Sequence, residues 1–140
     1  MKRRKFLMAG LASVTSPMMF AKSDKLKKNM NNPVILSTWN FGMPANVEAM
    51  RIIDNGGNAM DAAEAGARHA ESDIENNSVG LGGLPDELGY VTLDACVMDS
   101  TGNAGSVAFL QDIKHPVSVA RMVMEETKHV MLVGDGAKQF

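Results

Sequence analysis

The sequence predicts an α/β (α+β) fold, and two observations lead to this class. Short, mostly apolar runs of strand length, such as residues 33–38 and 104–110, alternate with segments whose apolar residues recur at helical spacing. The chain has 140 residues, of which 45% are hydrophobic, enough for a core of one domain. The formal net charge is −2, so charge gives no reason to expect a nucleic-acid partner.

The first 23 residues have the three-part pattern of a secretory signal peptide. A basic cluster at residues 2–5 precedes a mostly apolar stretch at residues 6–20, and small or polar residues follow. The apolar stretch is too short and too interrupted to span a bilayer, which needs about 20 apolar residues. Arg3 and Arg4 resemble the twin-arginine export signal. We therefore expect an exported, periplasmic protein whose mature form has no membrane partner, with residues 24–32 as a polar, flexible linker.

The first elements after the linker are predicted to be a strand and two helices. Residues 33–38 form a short β-branched run that begins with a proline, a position where a strand tolerates the missing N–H. Apolar residues at helical spacing predict a helix over residues 45–55, and Gly56 follows it as a stop. Asn58 can cap a second helix that runs to about Glu71. One face of that helix carries almost only alanine and glycine, which favours close packing.

The middle of the chain is predicted to form a long loop and then a β-hairpin. Residues 72–88 are too rich in glycine for regular structure, and loops of this length are often functional. Residues 91–98 alternate between apolar and polar, which predicts a second strand, and residues 104–110 predict a third. Asp99 is expected to open the turn between them through its side chain. The one cysteine, Cys96, is expected to be a buried core thiol, because free cysteine is among the most buried residue types.

The last part of the chain is predicted to form a helix, a strand and the start of another helix. Pro116 can occupy the first turn of a helix over residues 116–127, with Val117, Ala120, Val123 and Met124 facing inward. Residues 129–133 predict a fourth short strand, and residues 134–136 predict a turn into a helix that begins at Ala137. The chain stops inside this element, which we interpret as truncation.

The residues alone do not provide a catalytic set. The glycine-rich segment at residues 80–83 lacks the Gly-Lys-Ser/Thr of a phosphate-binding loop, so we expect a structural turn near a substrate pocket. His69, His115 and His129 do not have the spacing of metal ligands. We therefore predict no cofactor and no metal. The only tryptophan, Trp39, follows the first predicted strand and could either line a pocket or plug the edge of the core.

Several longer segments carry a family resemblance. They are residues 33–42 (PVILSTWNFG), 45–49 (ANVEA), 78–99 (SVGLGGLPDELGYVTLDACVMD), 116–121 (PVSVAR) and 129–137 (HVMLVGDGA). In this order they resemble the α-chain of the glycosylasparaginase (aspartylglucosaminidase) family of N-terminal-nucleophile hydrolases. The resemblance covers residues 33–140.

The resemblance implies a fold, a reaction and a substrate class. It implies that the chain is the N-terminal part of a four-layer αββα sandwich. Family members cut their own precursor before a threonine, which gives α and β chains. The new N-terminal threonine attacks the side-chain amide of a glycosylated asparagine, with its own α-amino group as the base. The implied substrate is N4-(β-N-acetylglucosaminyl)-L-asparagine, and the implied assembly is a dimer of αβ units.

The resemblance also assigns substrate-binding residues to this chain. Trp39 matches a tryptophan that lines the substrate pocket, and Thr38, Phe41 and Ser78 match positions in or near that pocket. No catalytic residue can be assigned, because the His-Asp-Thr run that contains the nucleophile does not occur in this sequence. We therefore expect an α-chain portion that is inactive alone, needs its own β-chain as a partner, and folds poorly without it.

Two alternatives stay open. One is an isoaspartyl peptidase or plant-type asparaginase of the same superfamily, although the Ser-Thr-Trp-Asn-Phe segment favours the glycosylasparaginase branch. The other is a non-catalytic α/β binding or assembly module, which would need a partner to cover the exposed edge of its sheet.

Overall fold

The structure is a computed structural model, and it describes residues 32–140. The predicted signal peptide and nearly all of the predicted linker therefore lie outside the described residues. Among the described residues, four helices, a three-stranded sheet and one short 3-10 turn confirm the α/β class. In chain order the elements are α1 (Gly42–Asp54), α2 (Ala59–Ser72), the 3-10 turn (Gly80–Gly82), β1 (Leu93–Met98), β2 (Ala104–Leu110), α3 (Pro116–Glu126), β3 (Met131–Val133) and α4 (Gly134–Gln139).

The sheet has the strand order β1-β2-β3. Strands β1 and β2 are antiparallel and form the predicted hairpin, with Met98 opposite Ala104 next to the turn. Asp99 opens this turn as expected, since its carboxylate accepts the amides of Thr101 at 2.8 Å and Asn103 at 2.9 Å. Strand β3 is parallel to β2, so α3 is the crossover between them.

The core of the described residues lies between one face of the sheet and helices α3 and α4. Its fully buried members are Val107, Leu110, Ala120, Val123 and Ala137. Pro116 stands in the first turn of α3, as the sequence predicts, and His115 is the residue that precedes the helix. Of the four residues predicted to face inward, Val117, Ala120 and Val123 are buried, and Met124 is half-buried.

A one-residue bulge interrupts the ladder between β1 and β2. In this interval β1 contributes Asp94, whereas β2 contributes Ala108 and Phe109. Phe109 adopts a φ of 54°, in the left-handed region, and its amide donates to the Asp94 carboxylate at 2.8 Å. This conformation costs a residue other than glycine about 1–2 kcal/mol. The bulge leaves Leu110 in the core and Phe109 56% exposed.

Helices α1 and α2 pack against each other through small residues. Gly66 of α2 lies so close to α1 that a Cβ there would be 3.0 Å from the carbonyl oxygen of Ala45 and 3.3 Å from the Cβ of Ala49. Asn58 caps α2 as predicted, and Asp61 completes a capping box with it. The bare face of α2 therefore serves close helix packing, as its composition indicates.

The prediction of a strand at residues 33–38 is wrong. These residues have no regular secondary structure, and the side chains of Val34 and Leu36 are 80% and 88% exposed. A strand exists only through hydrogen bonds to a neighbouring strand, and none of the three strands among the described residues pairs with this segment. The apolar pattern indicates that the segment is suited to a sheet, but it contains no information about whether a partner strand lies beside it.

The expectation that Cys96 is buried is also wrong. Cys96 is exposed, as are its neighbours on the same face of β1, Asp94 and Met98. Alternation correctly separates the two faces of the strand, but α3 covers the face that carries Ala95 and Val97. Sequence alternation shows which residues share a face and does not show which face is covered.

The remaining boundaries differ from the predictions by a few residues. Helix α1 begins at Gly42, three residues before the predicted start, and β3 begins at Met131 rather than at residue 129. Helix α4 begins at Gly134, where a turn was expected. The helices among residues 32–140 are too short or too polar for any of them to cross a bilayer.

Candidate functional site

The chain bends sharply between residues 37 and 42 and enters α1. The amide of Gly42 donates to the carbonyl of Trp39 at 2.9 Å, and the amide of Met43 donates to the carbonyl of Asn40 at 3.2 Å. The Ser37 hydroxyl donates to the side-chain oxygen of Asn46 in α1. Gly42 is required here, because a Cβ would overlap the Ser37 side chain. These contacts fix the backbone that carries the predicted site residues Thr38, Trp39 and Phe41.

An apolar groove of about 340 Å³ lies between this bend and helices α1 and α2. Thr38, Trp39 and Phe41 all line it, and the alanines of α2 form its other wall. Trp39 is 69% exposed, so its indole stands at the rim and is free to contact a ligand. The structure therefore brings three of the four predicted site residues together around one groove.

A second cavity of about 260 Å³ adjoins the first through Phe41. Val79 and Gly80 of the glycine-rich loop line it on one side, and Cys96 of β1 lines it on the other. Ser78 is not among the residues that line either cavity. It is exposed, and its amide donates to the side chain of Asn76 at 3.0 Å. Ser78 thus lies next to a residue of the second cavity and does not share the groove with Trp39.

The loop that carries Ser78 is anchored to the last turn of α2. Asn76 is only 6% exposed, and its side-chain amide points to the carbonyl of Ala70. Gly80 has a φ of +66°, and a Cβ there would overlap the backbone of Glu71. The loop therefore takes its position from direct backbone contact with α2, and the glycine at residue 80 permits this contact.

Sequence reasoning missed a buried acidic residue, Glu71, at the end of α2. Glu71 is 5% exposed, and its two carboxylate oxygens contact the amide of Val117 at 3.0 Å and Nδ1 of His115 at 3.1 Å. Burial raises the pKa of Glu71 to about 7, against the opposing hydrogen bond from Val117. Burial, followed by the charges of Arg68 and Lys114, lowers the pKa of His115. One feature of the sequence could have indicated this burial: Glu71 lies on the same helix as Ala62 and Ala70, which are also buried.

A second group of charged residues links α2 to α3. The guanidinium of Arg121 pairs with Asp61 at 2.9 Å, Glu64 at 2.8 Å and Glu125 at 2.7 Å. Although burial opposes it, hydrogen bonds from Ser118 and Arg121 lower the pKa of Glu64. Arg121 borders a cavity of about 560 Å³, but its donors are already occupied by these carboxylates. This network holds two helices together and leaves Arg121 few donors for a ligand.

The groove can bind and orient a ligand through an indole, a phenyl ring and small apolar side chains. The polar side-chain groups of its wall are the hydroxyls of Ser37 and Thr38, the amide of Asn46 and the indole N–H of Trp39. Within residues 32–140, no three His, Cys, Asp or Glu side chains are placed to hold a metal ion. The substrate-binding roles of Thr38, Trp39, Phe41 and Ser78 stay predictions.

Comparisons with known proteins point to one group. The family model Asparaginase_2, described as asparaginase, matches residues 24–140. A protein of Elizabethkingia miricola named N(4)-(β-N-acetylglucosaminyl)-L-asparaginase is 59% identical over 113 residues, which are 81% of this chain and 33% of that protein. Proteins of the same name from Rattus norvegicus and Mus musculus are each 43% identical over 109 residues, 77% of this chain and 31% of theirs. This chain thus spans about a third of the length of the curated relatives it matches.

Proposed function

This chain belongs to the Asparaginase_2 family of asparaginases, and on that basis we propose that it is part of an amidohydrolase that acts on glycosylated asparagine. The bond cleaved is the amide between N-acetylglucosamine and the asparagine side chain. The observation that carries this proposal is the 59% identity over 113 residues to a relative whose name states that substrate.

The apolar groove supports a binding role for this part of the protein. Trp39 presents an exposed indole at the rim, and Phe41 continues the aromatic wall toward the glycine-rich loop. Aromatic faces pack well against the apolar faces of sugar rings and against the aliphatic part of an amino acid. We propose that Trp39 makes the principal contact, with Thr38 and Phe41 beside it and Ser78 at the far end.

The nucleophile is proposed to come from sequence outside these 140 residues. The family resemblance requires an N-terminal threonine that is released by self-cleavage after His-Asp, and that run does not occur here. The threonine would attack the amide carbon, its α-amino group would accept the hydroxyl proton, and an ester to the β-carboxyl group of aspartate would form. The amine of the sugar leaves with a proton, and water then hydrolyses the ester.

The proposed assembly follows from the surface that the described residues leave open. Cys96, Met98, Met131 and Val133 are exposed on the face of the sheet that no helix among residues 32–140 covers. We propose that a second sheet, contributed by the β-chain, packs on this face and completes an αββα sandwich. A dimer of αβ units is part of the same proposal.

Export to the periplasm is also proposed. The basic cluster with Arg3 and Arg4 and the apolar stretch after it support a twin-arginine signal over residues 1–23. The family match begins at residue 24, directly after this segment, which supports the same division.

The deciding experiment expresses the protein from its complete gene and offers it three substrates. These are N-acetylglucosaminyl-asparagine, an isoaspartyl dipeptide and free asparagine. Release of aspartate from the first at the highest kcat/KM is the expected result. Preference for the isoaspartyl dipeptide would move the protein to the peptidase branch. Failure to hydrolyse all three, from a preparation that is folded, would favour a non-catalytic binding or assembly module.

A further inference from the structure

Glu71 lies where three separate segments of the chain meet. It belongs to the last turn of α2, its carboxylate faces the first turn of α3, and Gly80 of the glycine-rich loop packs on its backbone. The residue as a whole is 5% exposed, although acidic residues are almost never fully buried without a partner. Such a placement calls for a physical role, which neither the groove nor the Arg121 network supplies.

The contacts of the Glu71 carboxylate leave a place for one shared proton. One oxygen accepts the Val117 amide at 3.0 Å, and the other lies 3.1 Å from Nδ1 of His115. A hydrogen bond between the second oxygen and Nδ1 needs one hydrogen, carried either by the carboxyl group or by the imidazole. Glu71 is buried and His115 is half-buried, with 17% of its side chain exposed. A neutral acid beside a neutral imidazole avoids the unfavourable transfer of the Glu71 charge, and in part of the His115 charge, out of water.

Other ionisable groups surround this pair. Arg68 and Glu64 lie on α2, and Lys114 directly precedes His115. Asp94 and Cys96 of β1 line the cavity that Glu71 also lines. Arg68 pairs with Glu64 at 3.7 Å and donates to Ser118 at 2.9 Å. Its positive charge acts to lower the pKa of Glu71, and the effect of burial outweighs it.

The backbone around Glu71 is the support of the loop that carries Ser78. Asn76 is fixed through the carbonyl of Ala70, the residue before Glu71, and holds the amide of Ser78. Gly80 lies against Glu71 itself, and the amide of Gly83 donates to the carbonyl of Gly80 at 3.1 Å. A displacement of the last turn of α2 would therefore move the whole segment from residue 76 to residue 83.

We propose that Glu71 and His115 are a pair of positioning residues that share one proton, with the proton on Glu71 and the imidazole neutral. The pair fixes the last turn of α2 against the first turn of α3 and thereby holds the loop of residues 76–83 in place. The part of Ser78 in substrate binding rests on the proposed function. The shared proton and the loop position do not, and both are measurable without a substrate.

The shared proton has a definite consequence for stability. Near pH 5.5 the folded pair holds one proton, on Glu71, and the unfolded chain also holds one, on His115, whose ordinary pKa is about 6.5. The pair therefore makes folding neither release nor take up a proton, and it adds no pH dependence in this range. Without Glu71, only the unfolded state binds the histidine proton, so the free energy of unfolding rises with pH. Without His115, only the folded state binds the carboxyl proton, so the free energy of unfolding falls with pH.

The test uses E71Q and H115Q in the protein expressed from its complete gene, with H69Q as the matched control. The glutamine of E71Q keeps an acceptor for Val117 and imitates the protonated acid, while His69 is exposed on the same helix. As the pH rises from 5 to 6, the unfolding constant of E71Q should fall by up to about tenfold relative to the parent protein, because only the unfolded state then binds the histidine proton. That of H115Q should rise by up to about tenfold over the same interval, and H69Q should follow the parent.

Two further measurements test the position of the proton and the support of the loop separately. The ¹⁵N shifts of the imidazole in the parent protein should report a neutral ring at pH 6, and a protonated ring would overturn the assignment of the proton. Amide exchange at Ser78 and Gly83 should be at least about tenfold faster in E71A than in H69Q. If E71A does not fold, the same amides in H115Q should exchange faster than in H69Q. Equal pH slopes in E71Q and H115Q, or loop exchange equal to that of H69Q, would overturn the proposal.

Discussion

Trp39 is the residue whose exposure most directly suggests a binding role. An indole that is 69% exposed beside an apolar groove loses contact with water when a ligand covers it. Under the proposed function, Trp39→Ala should lower kcat/KM about 10–100-fold, mainly through a higher KM, since few large aromatic contacts dominate a binding site. Trp39→Phe should retain most of the activity. Steady-state kinetics on N-acetylglucosaminyl-asparagine measure both.

A matched control for this experiment is Val47→Ala. Val47 is 71% exposed on α1 and is not among the residues that line the groove. Its truncation should leave KM unchanged. A KM for Trp39→Ala equal to that of Val47→Ala would show that the indole does not contact the substrate.

The residue scale also shows where sequence patterns are ambiguous. Periodicity correctly placed Ala120 and Val123 in the core, because a helix buries one stripe whichever element covers it. It failed for Cys96, since a strand has two faces and the alternation is the same for either. The burial of Glu71 was not predicted, because it depends on contacts of its carboxylate with His115 and Val117, which are more than forty residues away in sequence.

At the scale of elements, the glycine-rich loop depends on close contact with α2. Gly80→Ala combines a φ of +66° with overlap against the backbone of Glu71, so the loop must move. The free energy of unfolding should fall by about 3 kcal/mol or more, the range of severe single substitutions. Gly89→Ala is the matched control: φ is +88° but nothing lies near the new Cβ, so the loss should be only about 1–2 kcal/mol. Denaturant titrations of the protein from its complete gene compare the two.

The outcome separates conformational strain from packing. Equal losses for Gly80→Ala and Gly89→Ala would mean that positive φ alone accounts for both glycines. The loop would then not rest on α2 as the structure has it.

The cap of α2 allows a milder test. Asn58 accepts the amide of Asp61 at 2.9 Å, and Asp61 accepts the amide of Asn58 at 3.2 Å. Asn58→Ala should destabilise the protein by about 1 kcal/mol, the usual cost of losing an N-cap. Asn77→Ala, at an exposed loop position, should be within about 0.5 kcal/mol of the parent. An Asn58→Ala variant as stable as Asn77→Ala would contradict the role of the cap.

Elements differ in how well sequence predicts them. The capped helix α2, the β1–β2 hairpin and helix α3 with Pro116 at its start were predicted almost to the residue, because their determinants are local. The segment at residues 33–38 was mispredicted because a strand needs a partner that is remote in sequence. The groove could not be predicted from periodicity, since it arises where that segment, α1 and α2 meet.

At the scale of the whole molecule, the open face of the sheet is the main feature to explain. If a second sheet covers it, as proposed, Cys96 becomes inaccessible in the assembled protein. In the protein from the complete gene, Cys96 should react with a maleimide many times more slowly when native than after denaturation. Mass spectrometry of the tryptic peptide measures the labelling. Rapid labelling of the native, active protein would contradict the proposed layer.

The same reasoning applies to residues 24–140 expressed alone. Large apolar side chains such as Leu36, Met98, Met131 and Val133 would stay exposed, 88%, 67%, 54% and 54% respectively. Exposed apolar area of this kind favours association over a single folded state. We expect dye binding to apolar surface and no cooperative thermal transition. A sharp, cooperative transition by circular dichroism would contradict this expectation.

The bulge at Phe109 has a consequence for how the hairpin tolerates change in chain length. The bulge changes which residues of β2 face the core. Without it, strict two-residue alternation from Val107 would direct Phe109 inward and Leu110 outward. The extra residue shifts the alternation by one step, so Leu110 reaches the core at 0% exposure. Loss of the codon for residue 109 would therefore leave a straighter strand that still delivers leucine to the interior. We therefore expect the hairpin to tolerate deletion of this one residue, because the regular ladder then restores the same inward residues.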